Sequence, residues 1–222
     1  MKTYKVFTAL TLLVALILMG CNSKGKNEIQ SGDLLFVALP MDYTIGNSTT
    51  ETTTTSNELN FIHAAILDVD KDGEIWVIDA TIKHGVDRHP LDTFLVDFTL
   101  KDGNLPTLKV MRLKDNVKAK DYVKNTEQWF GEPYDVEFKQ DNNAHYCTEL
   151  IYDAYTDGNK HLFSLTPMDF RCDNGKIPTY WHELFGILDK EVPQGDIGIL
   201  PFQMYKDDLL KEIDVNLIDA DR

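Results

Sequence analysis

Two strongly apolar runs joined by a short turn are the part of this sequence that most narrows its possible folds. Asn60–Val69 (NFIHAAILDV) and Glu74–Thr81 (EIWVIDAT) are rich in β-branched and aromatic residues, and they flank the turn sequence Asp70–Gly73 (DKDG). This pattern predicts an antiparallel hairpin. The turn superficially resembles a calcium loop, but it lacks the downstream spacing and the closing Glu of an EF-hand.

The register of this hairpin determines whether two polar side chains meet. If Val69 faces Glu74 across a four-residue turn, His63 lies opposite Ala80. A one-residue change in loop length shifts the pairing either way, and one of these alternatives sets His63 opposite Asp79. Opposed residues share a face because side chains alternate along a strand. The hairpin can therefore bring an imidazole and a carboxylate together.

The other apolar runs predict the remaining elements of an α+β domain. The uncharged, Thr-rich stretch Gly46–Asn57 predicts a mobile loop between the first two strands. Hydrophobic periodicity predicts further strands at Asp33–Leu39, Phe94–Leu100 and Leu108–Leu113, helices at Val117–Phe130 and Ala144–Tyr155, and short strands and turns around Leu162–Met168, Pro178–Trp181, Val192–Gly195 and Ile197–Pro201.

The first twenty residues have the pattern of a secretory signal. Lys2 and Lys5 precede an uncharged apolar run that is too short for a stable membrane-spanning helix. The run ends in Leu18–Cys21 (LMGC), which resembles the bacterial lipobox, where the cysteine is acylated and becomes the new N-terminus. A chance apolar stretch before a structural cysteine is the alternative.

These observations predict three segments along the chain. We expect a lipoprotein signal peptide at residues 1–20, a lipidated tether at residues 21–31 that begins with Cys21, and one domain at residues 32–222. Two acyl chains on one residue hold stably to a bilayer. The expected localisation is that of an exported bacterial lipoprotein, anchored in the outer membrane and facing the periplasm or the surface.

The charge balance and the cysteine count restrict the partners and the redox chemistry. The chain has 22 Lys+Arg against 36 Asp+Glu, a net charge of −14. Phosphate binding needs a basic stripe, so no nucleic-acid partner is expected. With Cys21 assigned to lipid, a Cys147–Cys172 bridge is the one disulfide possible, and a disulfide-rich framework is excluded.

Cys147 is the candidate nucleophile because it falls in the first turn of the predicted helix Ala144–Tyr155. A cysteine reacts as a thiolate, and a helix N-terminus and a nearby imidazole both lower its pKa. His63 is the best candidate for that imidazole, and Asp79 is placed to orient its ring. Each residue taken singly is more often part of a core, so a structural role is the alternative.

The remaining histidines and the third cysteine give weaker signals. His84 and His89 lie in a predicted polar loop without a paired ligand motif, so we expect no metal site and no cofactor. His145 precedes Cys147 by two residues, which on a helix directs it away from the thiol. Cys172 lies on a turn-like loop without a helix start or a nearby base, which predicts a bystander thiol.

Four blocks of the sequence together resemble one protein family. They are Gly32–Phe36 (GDLLF), Phe61–Ile66 (FIHAAI), Trp76–Ala80 (WVIDA) and Tyr146–Ile151 (YCTELI), which are similar to the signature blocks of the YiiX/YebB-like family of NlpC-type cysteine hydrolases. In ordinary NlpC-type cell-wall peptidases the cysteine helix comes first, whereas here it follows the Gly-Asp strand and the histidine hairpin. The resemblance covers about residues 31–205. It implies a circularly permuted papain-like fold, with an antiparallel sheet or barrel packed against the cysteine-bearing helix.

The resemblance also implies a set of site residues. Relatives often carry Glu where this chain has Asp79, which is one methylene shorter. For the Tyr146 phenol, packing is as good an explanation as substrate binding. The expected site comprises catalytic Cys147, His63 and Asp79, oxyanion- or substrate-binding Tyr146 and Cys147, and supporting Glu149 and Asp33, with Glu149 capping the first helical turn.

The expected function is that of a lipid-anchored thiol hydrolase of the cell envelope. His63 would take the Cys147 proton, the thiolate would attack an amide carbonyl in a cell-wall peptide, and a thioester would then be hydrolysed. An N-acyl or lipid amidase or acyltransferase of the same fold is one alternative. A catalytically silent envelope-binding module is another, and a reactive Cys147 would separate it from an enzyme.

Overall fold

The computed structural model describes residues 28–46 and 58–217. The predicted signal peptide, Cys21, most of the predicted tether and residues 47–57 of the Thr-rich stretch lie outside the described residues. Within the described ranges, none of the helices has the length and apolar character needed to cross a membrane.

The main element is a six-stranded antiparallel sheet with the strand order β10-β5-β1-β2-β3-β4. Its strands are β1 (Asp33–Pro40), β2 (Leu59–Val69), β3 (Ile75–Thr81), β4 (Gly85–Pro90), β5 (Thr107–Leu113) and β10 (Leu210–Ile213). Two small two-stranded sheets are formed by β6 (Thr156–Asp157) with β7 (Lys160–His161) and by β8 (Thr166–Pro167) with β9 (Ile197–Gly198).

Helices cover both faces of this sheet. They are α1 (Leu91–Asp97), α2 (Ala119–Asn125), which continues as a 3₁₀ turn (Thr126–Trp129), α3 (Cys147–Ala154), α4 (Thr179–Ile187) and α5 (Pro201–Tyr205). The predicted cysteine helix is thus present and begins at Cys147 itself. The architecture is α+β, as predicted.

Strand β1 is buried on both faces, which explains its continuous apolar sequence. On one face, Leu34 and Phe36 share a core with Leu150 of α3. On the other face, Leu35 packs in a second core with Phe94 of α1. The sheet is therefore a middle layer between α3 and α1.

The β2–β3 hairpin differs by one residue from the register expected from the turn alone. Val69 pairs with Ile75 rather than with Glu74. The turn has three residues rather than four, because the Asp70 N–H donates to the Glu74 carbonyl at 3.0 Å and Gly73 adopts a left-handed φ of +87°. This is the geometry of a three-residue hairpin loop. The carboxylate of Asp70 also accepts from backbone N–H groups inside the turn, as a hairpin turn requires.

Two segments predicted as strands or turns form helices instead. The Phe94–Leu100 strand prediction is wrong, because α1 begins at Leu91 and buries Leu91 and Phe94 at helical spacing. The segment around Pro178–Trp181 likewise opens α4, whose buried residues Trp181 and Phe185 lie four residues apart.

The polar stretch that contains His84 and His89 is not a loop throughout. Residues Gly85–Pro90 form β4, which pairs with β3 along its whole length. The sequence does not predict this strand, because only two of its six residues are buried and it carries two charged side chains, Asp87 and Arg88. This correction places His89 inside the sheet, in the same sheet as Asp79.

Candidate active site

Cys147 is the first residue of α3, and local hydrogen bonds explain why the helix begins there. Tyr146 is extended (φ −90°, ψ 167°), and its carbonyl accepts the first helical bond, from Leu150 N–H at 3.0 Å. The Tyr146 N–H donates to the Glu149 carboxyl group at 3.3 Å, which is the capping contact expected for Glu149. The thiol is 3% exposed and lies at the positive end of the helix dipole.

A β-bulge in β2 places the side chain of His63 on the opposite face of the sheet from that of Phe61. Val37 of β1 pairs with His63, but Ala38 pairs with Phe61, so Ile62 is an extra residue in the ladder. Phe61 packs in the core beneath α3, whereas the His63 ring lies against Phe98 of the α1 side, with ring centroids 4.8 Å apart. Without the extra residue, positions 61 and 63 would share one face.

His63 and Asp79 meet in the buried interior of the sheet. The His63 Nε2 atom lies 2.7 Å from Asp79 Oδ2, and both side chains are almost fully buried. The observed register, continued beyond its last pair at Ile66 and Ile78, sets Asp79 level with Ala65. The two residues are therefore diagonal neighbours on one face rather than directly opposed.

The electrostatics of His63 link it to Cys147. Burial lowers the pKa of His63, but the charge of Cys147 and hydrogen bonds with Asp79 and Cys147 outweigh it and raise the pKa to about 10. The imidazole is accordingly protonated at neutral pH. Because Nε2 contacts Asp79, Nδ1 is the ring nitrogen left to serve the thiol. The three residues thus form the connected set Cys147, His63, Asp79.

Tyr146 is engaged in packing and holds a loop near the site. Its ring is 0% exposed and stacks on Phe138 with centroids 4.5 Å apart, and its hydroxyl accepts from Ile199 N–H at 3.2 Å. A Cβ at Gly198 would lie 2.8 Å from this hydroxyl, so glycine allows the close approach. Tyr146 therefore packs against Phe138 and helps to hold the segment at Ile199.

Glu149 is a buried carboxyl group directly behind the nucleophile. Burial raises its pKa to about 9, against the lowering effect of the hydrogen bond from Tyr146 N–H. It is 2% exposed and neutral at pH 7. As a neutral acid it caps the helix without placing a negative charge next to the sulfur of Cys147.

Asp33 lies apart from the other expected site residues. It pairs with Leu67 of β2, four residues along the ladder from the Val37–His63 pair. Both of its carboxylate oxygens accept from Arg112 of β5, at 2.6 and 2.7 Å. Asp33 ties β1 to β5 in a bidentate ion pair, so its support of the site is through the sheet and not by contact.

Three side chains near the site were not predicted as parts of it. The pKa values of Tyr134 and Tyr180 are raised by burial and by the charge of Cys147, which places both phenols close to the thiol. The third, His89, lies on the far side of Asp79. Single tyrosines, Tyr134 in a loop and Tyr180 in α4, and a histidine in a polar strand give no pattern from which a site role can be inferred.

His145 lies just before α3, which begins at Cys147, so it is not on the helix as predicted. It is buried, and its two ring nitrogens lie 2.9 Å from Glu132 and 3.3 Å from Asp153. Its ring also packs on Trp129. His145 therefore ties the segment before the nucleophile to the loop at Glu132 and to the body of α3.

The two described cysteines are both free. Cys172 lies in a loop, and its Sγ donates to the Lys176 carbonyl at 2.9 Å. The possible Cys147–Cys172 bridge is absent, which leaves the thiol of Cys147 available.

Comparisons with known proteins identify the family of the chain. Residues 28–214 match the model of a family described as permuted papain-like amidase enzymes, YaeF/YiiX, C92 family. The chain belongs to this family. It is accordingly a cysteine hydrolase of the amidase type with a circularly permuted papain-like fold, and the predicted resemblance is confirmed.

A solved structure shows the same fold as this permuted papain-like amidase. The crystal structure of metalloprotein yiiX from Escherichia coli O157:H7 matches with a TM-score of 0.59 and 17% identity. The match covers 86% of this chain and 99% of that one. None of the curated proteins matches the chain.

The yiiX protein is described as a metalloprotein, which raises the question of a comparable set of ligands in this amidase. Across residues 28–46 and 58–217, His, Cys, Asp and Glu side chains form no group of three or more that could hold a metal ion. Asp79 uses one oxygen for His63 at hydrogen-bond distance.

Proposed function

We propose that this chain is a lipid-anchored cysteine amidase of the cell envelope that cleaves amide bonds in cell-wall peptides, with Cys147, His63 and Asp79 as its catalytic residues. The observation that carries the proposal is the position of His63. It lies between a buried carboxylate and a thiol at a helix start, and its pKa of about 10 keeps it protonated at neutral pH. This is the arrangement that activates a cysteine nucleophile.

In the first half of the reaction, the Cys147 thiolate attacks the carbonyl carbon of the amide and a C–S bond forms. Backbone N–H groups at the start of α3, including that of Cys147, lie where they can stabilise the oxyanion. The His63 imidazolium then donates its proton to the amide nitrogen. The C–N bond breaks, the amine leaves and a thioester remains.

In the second half, His63 acts as the base. It takes a proton from water while the water oxygen attacks the thioester carbonyl, and the C–S bond then breaks. The acid product leaves, and the thiolate and imidazolium are restored. Asp79 keeps the His63 ring oriented through the 2.7 Å contact in both halves.

The cellular place of the enzyme is inferred from its leader. The Leu18–Cys21 lipobox pattern supports export, acylation of Cys21 and attachment to the outer membrane on its periplasmic or surface side. Replacing Cys21 with Ala tests this directly. Incorporation of a labelled fatty acid and recovery in the membrane fraction should both be lost, and retention of either would overturn the anchor.

A substrate panel tests the reaction. Purified muropeptides, N-acyl peptides and phospholipids are incubated with the full chain purified in detergent, and the products are followed by mass spectrometry. We expect a new amine and a new carboxylate from the muropeptides, with a thioester at Cys147 trapped on rapid acid quench. Acyl transfer from phospholipid would instead indicate the acyltransferase alternative.

Cys147→Ala is the matched negative control, because it removes only the sulfur atom. Turnover that survives in this variant would overturn the assignment of the nucleophile. No turnover of any class by the wild type, together with an unreactive Cys147 thiol, would support a binding module instead.

A further inference from the structure

Asp79 has a second carboxylate oxygen that the proposed triad does not use. Oδ2 contacts His63, but Oδ1 is buried and has no hydrogen-bond partner among the described residues. A buried carboxylate oxygen without a donor is unfavourable, because it has lost water and gained no replacement. Some group near Oδ1 is therefore expected to serve it.

His89 is the group placed to do so. It lies on β4 opposite Val77, so it shares a sheet face with Asp79, which pairs with Asp87. Its Nε2 is 3.9 Å from Asp79 Oδ1. That distance exceeds a hydrogen bond, and a small rotation of the ring or one bridging water closes it.

One aromatic ring holds both imidazoles. The Phe94 ring of α1 is nearly parallel to that of His89, with an interplanar angle of 13° and centroids 6.3 Å apart. The same ring lies 6.1 Å from that of His63. Phe94 therefore keeps two histidines on opposite sides of one carboxylate.

The other polar groups around His89 do not satisfy it. Asp87 Oδ2 on β4 lies 4.0 Å from Nδ1, and Nδ1 has no hydrogen-bond partner among the described residues. His84, in the β3–β4 turn, is 6.1 Å away by ring centroid and contacts Asp97 instead. The other ring nitrogen of His89, Nε2, is the one that faces the unpartnered Oδ1 of Asp79.

We propose that His89 is a positioning residue that holds the free oxygen of Asp79 and so fixes this carboxylate against His63. The proposal rests on the proposed function of the Cys147, His63 and Asp79 set. With a proton on Nε2, His89 donates to Oδ1 while Oδ2 remains with His63. Asp79 then cannot turn away from His63 without breaking a second contact.

The test measures iodoacetamide alkylation of Cys147 against pH in the full chain, with peptides resolved by mass spectrometry. His89→Phe keeps a ring but cannot donate, and we expect its Cys147 rate at neutral pH to fall about tenfold, the effect of losing one hydrogen bond to a charged group. The change in rate at high pH, where His63 loses its proton, should also move to lower pH. If His89 had only a structural role, its loss would change the Cys147 alkylation rate by the same factor at every pH and would not shift the high-pH change.

His89→Gln and His84→Gln are the matched variants. The side-chain amide introduced by His89→Gln can donate to Asp79, so this variant should restore most of the rate and the pH profile, and His84→Gln should match the wild type. A His89→Phe profile that equals the wild-type profile would overturn the proposal, as would a His89→Gln variant as impaired as His89→Phe.

A measurement on the wild type covers the case in which His89→Phe does not fold. Long-range ¹H–¹⁵N spectra of the imidazoles report which nitrogen of His89 carries the proton. The proposal requires a proton on Nε2, and a neutral ring protonated on Nδ1 alone would overturn it. If His63→Ala leaves Cys147 alkylation unchanged, it is the proposed function that fails, whatever the His89 variants do.

Discussion

Cys147 and Cys172 are chemically identical side chains in two very different environments. Cys147 is buried at the first position of α3 and is linked to His63, which is in turn linked to Asp79. Cys172 is partly exposed in a loop, and its Sγ lies within hydrogen-bond distance of Asn174 Oδ1 and the Lys176 carbonyl. The difference shows that the fold, and not the residue type, sets the environment of a thiol: a helix start and a paired imidazole converge on Cys147 and not on Cys172.

The largest expected effect separates the two thiols by substitution. Cys147→Ala should lower amidase turnover by more than about a thousandfold, because the nucleophile is lost, and should leave the fold intact. Cys172→Ala should leave turnover within about twofold, since surface changes away from a site have small effects. Turnover on muropeptides and circular dichroism check both variants. Equal loss of activity in the two variants would remove the contrast between the thiols.

The next effect concerns the carboxylate behind His63. Asp79→Asn keeps the size of the side chain but removes its charge, and the resulting weaker hold on His63 should reduce turnover by roughly a hundredfold. The Cys147 alkylation rate should fall with it, whereas the Cys172 rate should not change. Asp79→Glu keeps the charge and should retain more activity than the Asn variant. Reversal of that order would show that the charge of Asp79 is not what matters.

The smallest effect on activity is expected at Glu149, where stability changes instead. Its pKa is about 9 in the folded protein against an ordinary value of 4.5, so the folded state holds a proton that the unfolded state has lost between these pH values. Stability therefore falls as pH rises from about 4.5 to about 9, by about 3 kcal/mol at pH 7.

Glu149→Gln removes this titration and keeps an acceptor for the Tyr146 N–H. Its Tm should exceed that of the wild type by several degrees at pH 8 and approach it at pH 5. Glu137→Gln is the contrasting control, because Lys190 and Lys139 hold the pKa of Glu137 at about 2. That interaction stabilises the fold above pH 4.5 and is lost as pH falls towards 2, so its removal should lower the Tm. A Tm difference between Glu149→Gln and the wild type that does not vary with pH would contradict the neutral state of Glu149.

Much of the contrast between the thiols is predictable from sequence. Apolar periodicity places Cys147 at a helix start, and the hairpin signal places His63 and Asp79 on adjacent strands. The details that bring them together are not predictable. The bulge at Ile62 depends on how β2 pairs with β1, and the turn at Asp70–Gly73 changes the register by one residue through a backbone hydrogen bond.

Elements with weak patterns escape prediction for a related reason. Strand β4 is mostly polar because it lies at the edge of the sheet, so its alternation does not identify it. The sequence accordingly predicts no strand at His89. Helix α1 starts at Leu91, directly after β4. Because β4 is not recognised, this helix start is missed as well, and the apolar residues from Phe94 onward, taken without Leu91, predict a strand.

The central claim is that His63 activates Cys147, and the pH dependence of alkylation in the wild type and in His63→Ala tests it most directly. With Cys172 as the internal reference, wild-type Cys147 should label rapidly below pH 7 and change rate near pH 10, where His63 loses its proton. In His63→Ala the rapid labelling should fall by about a hundredfold. Labelling of Cys147 that is no faster than that of Cys172, or that survives the loss of His63, would contradict the account.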